Sequence, residues 1–378
     1  MSPCTQRKIF NIPPFMTGIL NFDKGYMHYT WLALIAFRHF STPFGIPSIL
    51  LTVGINAFLF LHLLIKLSFQ KNFYMQKILL ISVPYIFLLV FNNNALHIIN
   101  ILVACYLLSD IKIERIVIFN TMLFILFFLL LFFGIWMGFI LNERFSIAYK
   151  GGEYAYEFGF QNPNVAAIVF LHFVILLFYL GCRYKLVLLH FVCIAISVIV
   201  YRYTGARTSF YAIIILFILT VIFYSFEFLK KIKPLLLFIP LLSMLLLLIG
   251  VLMIDHPLVI AIDMIITNRI YFSHMFLNEL SLVNIFIGKP LPEDIIVDQF
   301  YLAMLAHTGI MAVIVFYFLY IKFILNENIR KGYIFSIVIA ILFFGLVEST
   351  FFGISATGLP LFWLLFFKSA YNKREIII

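Results

Sequence analysis

Long apolar runs separated by short polar turns dominate this chain. The runs fall at about 26–40, 46–67, 77–92, 95–109, 116–141, 164–181, 186–202, 208–228, 234–254, 300–325, 332–350 and 356–370. Each is near the ~20 residues that a helix needs to cross a bilayer, although several are short and the fifth is long enough to tilt. The period-two alternation of a membrane-spanning strand is absent. In hydrocarbon every backbone N–H and C=O must be bonded internally, so such runs must be helical. The pattern predicts an all-α, polytopic membrane protein with about 12 transmembrane helices. It also predicts one membrane domain over 1–378, with a large loop at 255–299 between helices nine and ten.

Composition agrees with the pattern. Of 378 residues, 64% are hydrophobic and 11% charged, and the mean hydropathy is +1.11. A soluble domain carries roughly 25% charged residues and could not hide this much apolar surface. Residues 1–25 hold Arg7, Lys8, Asp23, Lys24 and two adjacent prolines without a continuous apolar stretch. A cleavable signal peptide is therefore not expected. Cys4, Cys105, Cys182 and Cys193 show no metal or redox spacing, which predicts small packing residues, no disulfide framework and no metal site.

The net charge of +10 would fit a nucleic-acid partner, but its distribution does not. With the N-terminus inside, every inner segment carries lysine or arginine, as the positive-inside rule requires. All but seven of the 26 Lys+Arg lie there. The excess is a topology signal, with both termini cytoplasmic and no nucleic acid implied. The seven others, Arg38, Arg144, Lys150, Arg202, Arg207, Arg269 and Lys289, fall on the outer side. Cations kept there against the insertion bias are functional candidates.

Two outer segments exceed a simple turn. The first, about 142–163, runs into Phe158-Gly159-Phe160-Gln161-Asn162-Pro163-Asn164. Its proline and asparagines suit a helix start with Asn164 as a cap. The second, 255–299, is the largest polar stretch. Helical apolar spacing within 258–280 predicts an amphipathic helix on the outer face.

No nucleotide-binding, dinucleotide-binding, serine-hydrolase or zinc-protease motif occurs in a usable context. No DxD triplet offers a metal for a nucleotide sugar. The first outer loop, Ser41–Pro47, has no carboxylate. Three segments nonetheless stand in a telling order. The Phe158–Asn164 segment comes first and Thr204-Gly205-Ala206-Arg207-Thr208-Ser209 second. Asn268-Arg269-Ile270 follows, with Gly288, Asp298-Gln299-Phe300-Tyr301-Leu302 and Gly309. Spread over many helices with a late outer loop, this order resembles the Wzy-type polysaccharide polymerases of the O-antigen ligase/polymerase superfamily. The resemblance covers most of the chain in topology and a few short segments in motif.

The resemblance implies polymerisation of undecaprenyl-diphosphate-linked oligosaccharide units, donor and acceptor alike, at the outer face of the cytoplasmic membrane. A flippase and a chain-length regulator would be partners, and no cofactor or metal would be needed. The related ligases place a histidine where this chain has Asp298, and an asparagine at Gln299. Departure of a sugar from diphosphate builds negative charge, which planar guanidinium groups hold well. Arg207 and Arg269 are the first candidates and Arg202 a supporting one. Asp298 is the candidate general base, and equally a helix cap. A single displacement would invert the anomeric centre. Glu348, costly at its depth unless used, would bind acceptor sugar, pair with an outer arginine, or stand as a plain interfacial charge. Asn162, Asn164, His274 and Tyr301 complete the expected substrate-binding set, with His274 and His307 as alternative bases. The rival functions are an O-antigen-type ligase and a lipid-linked oligosaccharide flippase.

Overall fold

The apolar runs become helices, and where they break, a proline, a glycine or a capping side chain accounts for the break. The computed structural model describes residues 26–69, 95–109, 111–147, 153–160, 162–266, 268–288, 299–326, 329, 331–346, 348 and 359–371. The expected span at 77–92 lies outside them. The chain runs α1 (Tyr26–His39), α2 (Ser48–Phe69), α3 (Ala95–Leu108) and α4 (Ile113–Trp136) into a short hairpin of β1 (Arg144–Ile147) and β2 (Glu153–Tyr156). Then come α5 (Pro163–Tyr184), α6 (Val187–Thr204), α7 (Arg207–Ile222), α8 (Phe226–Leu236) and α9 (Ile239–Leu252). Three short helices follow, α10 (Pro257–Ile265), α11 (Arg269–Asn278) and α12 (Leu282–Ile287). The last four are α13 (Phe300–Thr308), α14 (Ile310–Leu325), α15 (Gly332–Phe344) and α16 (Leu359–Tyr371).

Ile49–Lys66 within α2, together with α4, α5 and α6, are long and apolar enough to cross a membrane, and the pair α8–α9, bent by 44°, makes a fifth candidate. Several shorter apolar helices stand beside them. Together they define an all-α membrane protein. α5 is the central strut, with 83% of its apolar window buried, against 22% for α6. α6 turns Val187, Leu188, Phe191 and Ile199 outward, a surface stable only against lipid. Between α5, α7 and α15 the remaining void is about 10 Å³, too small for more than one water. A wholly apolar groove of about 420 Å³ runs between α4, α5 and α6 under Phe158 and Tyr203.

Three expectations need correction. The run at 300–325 is not one straight span. Phe300 and Phe316 have ring centroids 5.2 Å apart, whereas sixteen residues of continuous helix would separate them by ~24 Å. The chain folds back at Gly309, where φ is +74° and an added Cβ would stand 2.2 Å from the Phe286 carbonyl oxygen. A side chain fits neither that conformation nor that approach. The amphipathic helix over 258–280 is likewise two helices, α10 and α11, separated at Asn268 with φ +60°. The cap of α5 is Asn162 rather than Asn164: its side chain accepts the Asn164 N–H at 2.8 Å. Pro163 at the first helical position holds the preceding residue extended, which is the geometry a cap needs.

Two ends of the bundle are distinct. At one end the hairpin rests on the last turn of α6, with the Tyr156 and Tyr203 rings 5.6 Å apart. The turn between α6 and α7, the helices α10–α12 and the end of α15 lie at this hairpin end. The opposite end gathers Lys66, Arg183, Lys233 and Lys368. Lys66 donates to the Tyr106 carbonyl at 3.3 Å and Lys233 to that of Asn326 at 3.2 Å. Lys368 bonds the Ile111 carbonyl, and Arg183 pairs with Glu114.

Candidate functional site

Three local structures at the hairpin end aim side chains at one another. The first is the start of α11. Asp263, buried at the end of α10, accepts the Ile270 N–H at 2.6 Å and the Tyr271 N–H at 3.1 Å. A carboxylate on those N-terminal donors both caps the helix and complements its dipole. It places Arg269 as the first residue of α11, facing inward and 8% exposed.

The second is the turn between α6 and α7. Gly205 closes α6 in the left-handed region with φ +69°, a position where glycine costs least. Thr204 Oγ1 accepts the Ala206 N–H at 3.2 Å. α7 then begins at Arg207, half-buried, with Thr208 and Ser209 in its first turn.

The third is the end of α15. Gly345 offers its carbonyl to the Phe300 N–H at 2.8 Å, and the Glu348 N–H returns to Phe344 O at 3.0 Å. This brings the start of α13 beside the end of α15 and sets Glu348 just beyond it. Glu348 is 6% exposed.

The three meet on one oxygen. Arg269 Nη2 donates to Glu348 Oε1 at 3.0 Å, and Thr208 Oγ1 donates to the same atom at 3.3 Å. The two charged side chains are 9% and 8% exposed. Burying either charge alone would cost several kcal/mol, and the pairing returns much of that cost. Ser209 Oγ, next in sequence to Thr208, and Gln299 Oε1, next to Phe300, are buried without a hydrogen-bond partner among the described residues.

The remaining candidates are dispersed. Arg202 is exposed on the last turn of α6. Asn162 caps α5 and Asn164 is exposed in its first turn. His274 has both ring nitrogens engaged, Nδ1 with the Val251 carbonyl at 3.3 Å and Nε2 with Asn278 Nδ2 at 2.8 Å. A carbonyl accepts only, so Nδ1 carries the proton and Nε2 accepts, which makes this histidine a fastener between α9 and α11. Tyr301 is buried, its ring beside those of Phe300 and Phe316. α13 begins with Gln299 at the cap position. Asp298, the expected base, lies outside the described residues, as do Lys150 and Lys289.

Of the roles open to Glu348, the structure realises pairing with an arginine, the Arg269 of the Asn268–Ile270 segment. Thr208 and Asp263 were not singled out from the sequence. Thr208 had a signal, as part of the Thr204–Ser209 segment. Asp263 had only its distance of six residues from Arg269. Comparison with protein-family models, with curated proteins and with solved structures returns no match. The resemblance therefore rests on the motif residues themselves.

Proposed function

We propose that this membrane protein is a polymerase of undecaprenyl-diphosphate-linked oligosaccharide repeat units. In this reading it works at the outer face of the cytoplasmic membrane, with about twelve spans and both termini cytoplasmic. The observation that carries the reading is the meeting of Thr208 and Arg269, from two separate motif segments, on the buried carboxylate of Glu348. Membrane proteins bury such charges where they use them.

The chemistry follows from the charges. The growing chain leaves its lipid diphosphate, and the electron pair of the broken sugar–oxygen bond goes with the diphosphate. Arg269 is placed by Asp263 to hold that charge through paired hydrogen bonds. Arg207, at the start of α7, adds its charge at a helix N-terminus, itself favourable to anions. Arg202 steers the headgroup from the rim. The acceptor hydroxyl of a fresh lipid-linked unit attacks from the opposite side, so the anomeric centre inverts. The motif resemblance implies Asp298 as the base.

In cells lacking their own copy, Arg269→Ala or Arg207→Ala at matched protein level should abolish long polymer while single lipid-linked repeats accumulate on the outer face. Normal chain lengths in both variants would overturn the reading. Repeats retained on the cytoplasmic face would make the protein a flippase. Long polymer left unattached would make it a ligase.

A further inference from the structure

We propose that Glu348 is an exchangeable counter-ion for Arg269, displaced by the lipid diphosphate and thereby turned into the base that deprotonates the acceptor. This deepens the polymerase reading, rests on it, and gives Glu348 the role of base that the motif resemblance implies for Asp298. The geometry places a carboxylate oxygen at 3.0 Å from Arg269 Nη2, the position that a phosphate oxygen would take. A carboxylate and a phosphate compete for the same planar donor fork, and a diphosphate carries more charge. Binding of the donor would therefore draw the guanidinium away from Glu348.

The displaced carboxylate has nowhere solvated to go. It is 6% exposed and tied to Phe344 by its own backbone N–H, and Thr208 Oγ1 still holds Oε1. Without the neighbouring positive charge, a buried carboxylate attracts a proton more strongly. It then takes the proton of the acceptor hydroxyl as that oxygen bonds to the anomeric carbon. The sugar–phosphate bond breaks, and its electron pair remains on the diphosphate held by Arg269. The logic is sequential: with no donor bound, Glu348 is neutralised by Arg269 and activates neither water nor acceptor.

The test separates binding from turnover. Undecaprenyl diphosphate is titrated onto the purified protein in nanodiscs, and chain length is measured in cells. Glu348→Gln keeps the size and the Thr208 hydrogen bond but removes the competing charge. It should bind undecaprenyl diphosphate roughly tenfold tighter while polymer formation falls by roughly 10²- to 10⁴-fold. Glu348→Asp, with its carboxylate drawn back, should also bind tighter and retain part of the turnover. A purely structural ion pair would weaken binding and turnover together. Equal or weaker binding by both variants, or normal polymer from Glu348→Gln, would sink the exchange mechanism. Failure of the wild-type protein to bind undecaprenyl diphosphate, or full binding by Arg269→Gln, would instead sink the polymerase reading itself.

Discussion

The two ends of this bundle use positive charge differently. At the basic end, Lys66, Lys233 and Lys368 donate to backbone carbonyls at or just beyond the ends of α3 and α14. The Tyr106 and Asn326 carbonyls lie at helix C-termini, where the dipole also favours a cation, and the Ile111 carbonyl lies in the linker between α3 and α4. Each lysine therefore has a partner that no substrate could replace. At the hairpin end, Arg269 has a side-chain carboxylate, shared with a threonine hydroxyl from a third element. Arg183 also has a carboxylate partner, Glu114, at the basic end, but those side chains are 24% and 17% exposed against 9% and 8% for Arg269 and Glu348. The hairpin end is thus set apart by a desolvated carboxylate partner that another anion could replace. On the proposed reading, the difference separates charge that supports the structure from charge available for chemistry.

Disrupting that distinction should cost most at the hairpin end. Arg269→Ala should lower polymer formation by roughly 10²- to 10³-fold, the usual loss when a donor to a departing anion is removed. Lys368→Met should leave chain length unchanged at matched protein level. Equal loss from both, read from polymer length on gels, would erase the contrast. Stability gives a second comparison. Glu348→Ala strands a buried guanidinium and should destabilise by about 3–5 kcal/mol. The uncharged double variant Arg269→Gln/Glu348→Gln should recover much of that in thermal unfolding in nanodiscs. If the double variant is as unstable as the single one, the pair is not the source of the cost.

Smaller effects sharpen the picture. Lys66→Met should cost about 1.5–3 kcal/mol, the range for a hydrogen bond to a charged group, with no change in diphosphate binding. A change in binding would show that the basic end also takes part in function. The smallest effect belongs to Glu157, buried beneath the hairpin. Burial raises the pKa of its carboxyl group, a hydrogen bond to the carboxyl group from the Glu143 backbone opposes this, and the nearby Glu143 charge adds to it. A raised folded-state value means the stabilising protonated form is present at low pH and lost as pH rises through that value. Glu157→Gln should therefore match wild type in acid and become slightly more stable toward neutral pH. A stability gap that does not depend on pH would contradict this.

Much of the fold was legible because lipid as solvent demands apolar helices, and the runs near α4, α5 and α6 state that demand directly. Their interruptions were harder to read. Gly309 stood out only as part of a motif, because its fold-back needs both a positive φ and the backbone of Phe286 at contact distance. The break at Asn268 was hidden because apolar spacing continues from α10 into α11 across it. Pro163 marked the start of α5 correctly, yet the cap fell two residues before Asn164. For the site, Arg207, Arg269 and Glu348 could be nominated singly as charges in costly places. Pairing of Glu348 with an arginine could be foreseen, but that the arginine is Arg269, with Thr208 sharing the same oxygen, could not.

Taken alone, the chain's hydrophobic pattern determined the class of protein, the helical state and the segments where charge was out of place. Tertiary structure decided which charges meet, since Arg269 and Thr208 reach Glu348 from 79 and 140 positions away. The physical reason is the range of the forces. Transfer into lipid acts on each segment by itself, residue by residue. An ion pair exists only after distant helices have packed and excluded the water that would otherwise screen it.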